Sequence, residues 1–171
     1  MTDGPRDELG RPIADQERLL STLAAHRVDF LVAGGVAVIM HGYSRFTRDL
    51  DIIPSPDQSS MRDLAAALSE LQAHAVTARG ERVEVDLAHP ESLSVGNYFL
   101  STKFGALDLF NGPRPDLRRY RRLEAAATSV EVAGHDVKVI SKADLIAMKR
   151  DAGRPKDLRD IAALTELERN Q

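Results

Sequence analysis

Cysteine is absent from the 171 residues, so the chain has no disulfide framework and no thiolate metal site. Any metal must be held by oxygen or imidazole, and the absence fits a reducing compartment. No apolar run approaches the roughly 20 residues of a membrane span. The opening residues, MTDGPRDELG, are charged and unlike a signal peptide. A cytoplasmic location with no membrane partner is the expectation. A positive excess is missing too: the formal net charge of −3 gives no global attraction for nucleic acid and leaves only local patches to consider. There is no internal repeat, no low-complexity tract, no GxxxxGK[ST] phosphate loop and no serine, histidine and acid order of a hydrolase triad. His26, His74, His89 and His135 show no ligand spacing, and His41, in an apolar stretch, reads as a structural hydrogen-bond partner.

What is present is a soluble, folded composition, 43% hydrophobic and 29% charged, at a length that suits one domain better than two. Residues 1–12 mix glycine, proline and charge without periodicity and read as a flexible tail. Residues 13–171 read as a single domain. Leu19, Leu20, Leu23 and Ala24 are spaced as one helix face within 13–27, and Leu64, Leu68 and Leu71 as another within 61–73, where Ser59 or Ser60 is the expected cap. Strands are expected over 29–33, 48–53, 82–87, 97–102 and 105–110, and a hairpin over 128–132 and 136–140. A helical segment closes the chain over about 141–168, with Ser141 and Asp144 at its start, a stop at Gly153 and Pro155 opening the last helix. The fold class is α/β (α+β): a small mixed sheet flanked by helices.

The chemistry concentrates in residues 30–54, FLVAGGVAVIMHGYSRFTRDLDIIP. An apolar strand leads to Gly34 and Gly35, where a short helix starts, and a second strand returns with Asp49 and Asp51. Residues two apart on a strand share a face, so these carboxylates stand about 7 Å apart at the backbone while Leu50 turns into the core. Two such carboxylates can converge on a divalent cation, and oxygen ligands are what Mg²⁺ prefers. Glycines between strand and helix let the backbone approach a ligand, and the free N–H groups there favour an anion. Five arginines, Arg114, Arg118, Arg119, Arg121 and Arg122, make a basic outer face opposite Leu117, Tyr120 and Leu123, either a solvated surface or a docking stripe for RNA phosphates or an acidic partner.

Gly34 and Gly35 followed by Arg45, Thr47, Asp49, Leu50 and Asp51 resemble the signature of the nucleotidyltransferase fold shared with DNA polymerase beta. The resemblance implies a third carboxylate on a neighbouring strand. Asp108 is favoured, because TKFGALDL resembles the third-acid strand of small bacterial members and Leu107 and Leu109 would anchor that strand. Asp86 is the replacement, though its pattern favours a strand-end turn residue about two to one over a metal ligand. Further on, residues 145–149 with AGRPKDLRDIAAL resemble the closing segment of AbiEii-type nucleotidyltransferase toxins, so the likeness spans 30–164 with gaps. It implies Mg²⁺-dependent transfer of a nucleoside monophosphate from ATP or another nucleoside triphosphate to an acceptor hydroxyl. Asp49, Asp51 and Asp108 would hold two metal ions and carry the catalysis. Gly34, Gly35, Arg45, Thr47 and Lys149 would surround the nucleotide, with Asp157 and Asp160 supporting Lys149, Arg154 or Lys156. It further implies a toxin acting on RNA, tRNA included, with a cognate antitoxin. The alternatives are the same chemistry on a small-molecule or protein acceptor, and a non-catalytic nucleotide- or partner-binding module of the same fold.

Overall fold

The computed structural model describes residues 4–169. In chain order the elements are α1 (Gln16–Ala25), β1 (Phe30–Ala33), α2 (Gly34–Met40), β2 (Asp49–Pro54), α3 (Gln58–Glu70), β3 (His74–Val76), β4 (Arg82–Val83), a 3₁₀ turn (Pro90–Ser94), β5 (Asn97–Thr102), β6 (Gly105–Phe110), α4 (Leu117–Ala125), β7 (Thr128–Val132), β8 (His135–Val139), α5 (Lys142–Ala152) and α6 (Pro155–Arg169). All strands join one mixed sheet in the order β4-β3-β5-β6-β2-β1-β8-β7. β1 and β2 are antiparallel, whereas β2 and β6 are parallel, as are β1 and β8. The mixed sheet flanked by helices matches the expected class, with eight strands among the described residues.

The central strands are apolar because helices cover them. Leu31, Val32, Leu50, Ile52, Leu107 and Leu109 are fully buried and share one core with Leu19 and Leu23 of α1 and Leu64 and Leu68 of α3. Helix ends follow local chemistry. The Asp116 carboxylate accepts the Arg119 N–H at 2.9 Å, and the Ser141 hydroxyl oxygen accepts the Asp144 N–H at 3.1 Å. Gly153 ends α5 at φ 63°, a left-handed conformation that glycine adopts without strain.

Three expectations need correction. The cap of α3 is Asp57, whose carboxylate accepts the Ser59 N–H at 3.1 Å; Ser60 instead accepts the Asp29 N–H at 3.2 Å and ties α3 to the start of β1. The strand expected over 82–87 shortens to Arg82–Val83, because beyond it the chain turns, the Leu87 N–H reaching the Val85 carbonyl at 3.0 Å. β3, too short to show a period, fills the place between β4 and β5.

The third correction concerns the N-terminus. Residues 1–3 lie outside the described residues, but 5–12 form a folded hook. The Asp7 N–H donates to the Arg11 carbonyl at 2.9 Å, the Gly10 N–H to the Asp7 carbonyl at 3.1 Å, and Arg6 bridges to Pro12. The chain then crosses the starts of β2 and β6: the Ala106 N–H donates to the Pro12 carbonyl at 3.0 Å and the Ala14 N–H to the Arg48 carbonyl at 2.9 Å. Gly105 makes room for this crossing, since a Cβ there would sit 2.4 Å from the Ile13 carbonyl oxygen.

Candidate active site

Strand register brings the acids together. Asp51 lies directly opposite Asp108 in the parallel β2–β6 pair, so the two side chains leave the same face side by side, and Asp49 is two residues back on that face. One carboxylate oxygen from each of Asp49, Asp51 and Asp108 lies within 4.8 Å of the others. Asp86 is elsewhere, exposed and bonded to His89 Nδ1 at 2.8 Å.

Crowding three carboxylates has an electrostatic cost. Burial pushes the Asp51 carboxyl up, and the charges of Asp49 and Asp108 push it further, to about 7; the Gly35 N–H and Lys156 oppose them. Burial also raises Asp108, to about 6, although the Arg11 guanidinium holds it down. The remaining supports are local. The Gly35 N–H donates to Asp51 Oδ2 at 3.3 Å, and the Thr47 hydroxyl to Asp49 Oδ1 at 3.2 Å.

The glycine pair is required by the protein's own packing. A Cβ on Gly34, whose φ is +58°, would sit 1.7 Å from Asp51 Oδ2, and one on Gly35 would sit 2.4 Å from Thr47 Oγ1. Both glycines therefore let β1 and α2 close onto the acidic strand. They also line the wall of a cavity of about 560 Å³ that opens onto the acids. Its lining also takes in the hook (Glu8, Leu9, Arg11), Phe99 and Phe110, Leu145, Met148 and Ala152 of α5, and Arg154 and Lys156. That is ample room for a nucleotide-sized ligand.

Lys149 lines the cavity too, but its ammonium is already engaged: it lies 2.7 Å from Asp160 and 3.3 Å from Asp157, and all three side chains are buried. Arg45 donates to Asp160 at 2.9 Å and Arg154 to Asp157 at 2.6 Å, which closes a network tying the loop before β2 to α5 and α6. Asp157 and Asp160 thus support Lys149, as expected, and hold its ammonium in the interior. Lys156, exposed on the cavity wall and close enough for its charge to act on Asp51, makes no ion pair among the described residues. It went unnoticed as a site residue because an isolated lysine in a helix carries no pattern. Arg11 was missed for a different reason. Asp7 and Gly10 in DELGR carry a turn signal, but nothing local says where that turn docks.

His41 is structural, bonded through Nε2 to the Ile140 carbonyl at 2.8 Å. The basic face of α4 is solvent-exposed, with Tyr120 and Leu123 turned inward. Among the described residues, no helix is long and apolar enough to cross a membrane.

Solved structures with this arrangement of elements include the lincosamide antibiotic adenylyltransferase LnuA with lincomycin bound, at 15% identity and a TM-score of 0.60, covering 90% of this chain and 98% of that one. The antibiotic-resistance factor ANT(2'')-Ia is 16% identical with a TM-score of 0.57, over 89% of this chain and 84% of its own. An antigenic nucleotidyltransferase-like protein from Paracoccidioides brasiliensis is 18% identical with a TM-score of 0.51, over 91% and 78%. At these identities the likeness establishes a nucleotidyltransferase fold and no more. No curated protein sequence matches the chain. The family model of the nucleotidyl transferase AbiEii toxin, of type IV toxin–antitoxin systems, matches residues 18–171, and the chain belongs to that family.

Proposed function

We propose that this protein is a metal-dependent nucleotidyltransferase that moves a nucleoside monophosphate from a nucleoside triphosphate to an acceptor hydroxyl. The observation that carries this reading is the convergence of Asp49, Asp51 and Asp108 in a cavity whose lining also bears Arg154 and Lys156. Three carboxylates whose oxygens converge within 4.8 Å are a fitting donor set for Mg²⁺, which takes oxygen ligands and shares them with substrate phosphates. When bound, such ions would neutralise the acids, hold the triphosphate and acidify the acceptor hydroxyl.

The chain's own residues do the rest. Lys156 and Arg154 face the phosphates and offset the charge that grows on the departing pyrophosphate. Gly34 and Gly35 leave the wall bare for the phosphate chain. Thr47 orients Asp49, and the Lys149–Asp157–Asp160–Arg45 network holds α5, α6 and the acidic strand in fixed relation. Asp108 accepts the proton of the acceptor hydroxyl as its oxygen bonds to the α-phosphorus and the bond to pyrophosphate breaks. A carboxylate raised to about 6 suits a base working near neutrality.

The acceptor we assign is RNA, tRNA included, with an antitoxin protein as the regulating partner. Toxin-family membership supports this, and so does the exposed arginine face of α4, which suits phosphates. The test incubates radiolabelled ATP, CTP, GTP and UTP with total RNA, beside Asp51→Ala. Metal-dependent label on RNA that vanishes in the variant is the expected result. Label that persists in Asp51→Ala refutes the site. Label on protein or on a small molecule in place of RNA overturns the acceptor alone.

A further inference from the structure

The hook over residues 5–12 precedes the stretch that matches the family, yet it delivers a buried arginine to the third acid. Arg11 is 3% exposed. Its Nη1 donates both to Asp108 Oδ1 and, at 3.2 Å, to the Leu100 carbonyl, while its Nε donates to Asp7 Oδ2 at 2.7 Å. Asp7 is itself fixed, because its Oδ1 accepts the Leu9 N–H at 3.0 Å and the Arg11 N–H at 2.9 Å. The guanidinium carbon lies 5.9 Å from the centre of the Phe99 ring, on the strand next to Asp108. A planar fork held by two strands and a tight turn leaves little freedom to the oxygen it grips.

We infer that Arg11 is a positioning residue for the reaction, and that the hook exists to seat it. Three like charges at close range repel, and a carboxylate without an anchor would rotate away from the other two. Arg11 prevents this for Asp108 without withdrawing it: with the Arg11 bond made, Asp108 still places an oxygen within 4.8 Å of Asp49 and Asp51. That geometry separates a positioning contact from a latch, in which the arginine would pull the acid out of the cluster.

The kinetic part of the test rests on the nucleotidyl-transfer reading; the structural part does not. Arg11→Ala is expected to lower kcat by about 10–100-fold, the scale of a misplaced catalytic group, with KM for the nucleotide little changed and Arg11→Lys recovering part of the loss. In a crystal structure of Arg11→Ala, the Asp108 carboxylate should leave its place beside Asp49 and Asp51. An unchanged kcat with Asp108 in place overturns the inference, and so does a raised kcat, which would mark a latch. Should Arg11→Ala not fold, Arg11→Lys and Arg11→Gln carry the comparison: a graded loss of kcat supports the role, and wild-type kcat in both refutes it. If the wild type transfers no nucleotide to any acceptor, the functional reading falls, and the position of Asp108 in the variant still decides the role of Arg11.

Discussion

Replacing Asp51 by asparagine should stabilise the metal-free protein at neutral pH and do little below pH 4. Asp51 is buried beside Asp49 and Asp108, and its carboxyl rises from its ordinary value of 3.8 to about 7. Between those values the folded protein holds a proton that the unfolded chain has released. The unfolded state therefore binds fewer protons there, and stability falls as pH rises through the window. At full ionisation the displacement is worth at most about 4 kcal/mol, and sharing of the repulsion with Asp108 brings the expected gain of Asp51→Asn at pH 8 to about 2 kcal/mol. Asparagine keeps an oxygen for the Gly35 N–H, so the substitution isolates charge from shape. The assay is urea denaturation in EDTA at pH 4 to 8, read as the difference between variant and wild type. Taking the difference cancels groups of opposite sign such as Asp157, whose carboxyl the Arg154 guanidinium and Lys149 hold down. Adding Mg²⁺ at pH 8 should reverse the order, with wild type gaining more than the variant. A difference that does not change with pH, or a variant less stable at pH 8 in EDTA, would refute the electrostatic account.

Three further outcomes are expected. Gly34→Ala should lose about 3 kcal/mol or fail to fold, because its Cβ collides with Asp51, whereas Gly96→Ala, at φ +75° with open space around it, should lose only about 1 kcal/mol of backbone strain; thermal melts compare the two, and equal losses would discount the collision. Lys149→Met should cost about 3 kcal/mol by taking the shared cation from between the buried Asp157 and Asp160 and leaving each with its arginine alone, with a large non-additive interaction against Asp160→Asn in a double-mutant cycle; additive effects would mean the network is not coupled. Tyr120→Phe should be neutral or gain about 1 kcal/mol, since the buried Tyr120 hydroxyl has no hydrogen-bond partner among the described residues; a clear loss on urea denaturation would reveal a partner.

How much of this was legible from the sequence depends on how local each cause is. Asp49 and Asp51 share a face because a strand has a period of two, and Leu50 is buried between them for the same reason. Helix faces, the αL glycine at Gly153 and the strand Gly105–Phe110 were readable on like grounds. The parallel pairing of β2 with β6, which sets Asp51 opposite Asp108, joins residues 57 positions apart and shows in no pattern; the family resemblance implied only that a third acid stands on a neighbouring strand. The hook failed altogether as a reading: its composition is that of a tail, and only the groove beside Gly105 and the charge on Asp108 give it a place to fold. Lys149 was legible in part: the sequence offers Asp157 and Asp160 as its support, but not that both carboxylates close on it in the interior or that Arg45 and Arg154 complete the network.

The charge accounting of the cavity says where a ligand belongs. Asp108 has Arg11, Asp157 has Lys149 and Arg154, and Asp160 has Lys149 and Arg45. Among the described residues Asp49 and Asp51 make no ion pair; a hydroxyl and a backbone N–H are their support. Their negative charge is thus unbalanced by any ion pair, and Lys156, exposed in the same cavity lining and itself without an ion pair among the described residues, acts on Asp51 from a distance. Three neighbouring acids are neutralised from within, whereas these two are not, and on the proposed function the site would be completed from outside, by a cation at the acids and by an anion between that cation and the lysine. A metal-bound polyphosphate has that distribution of charge, and neither a neutral ligand nor a bare anion does.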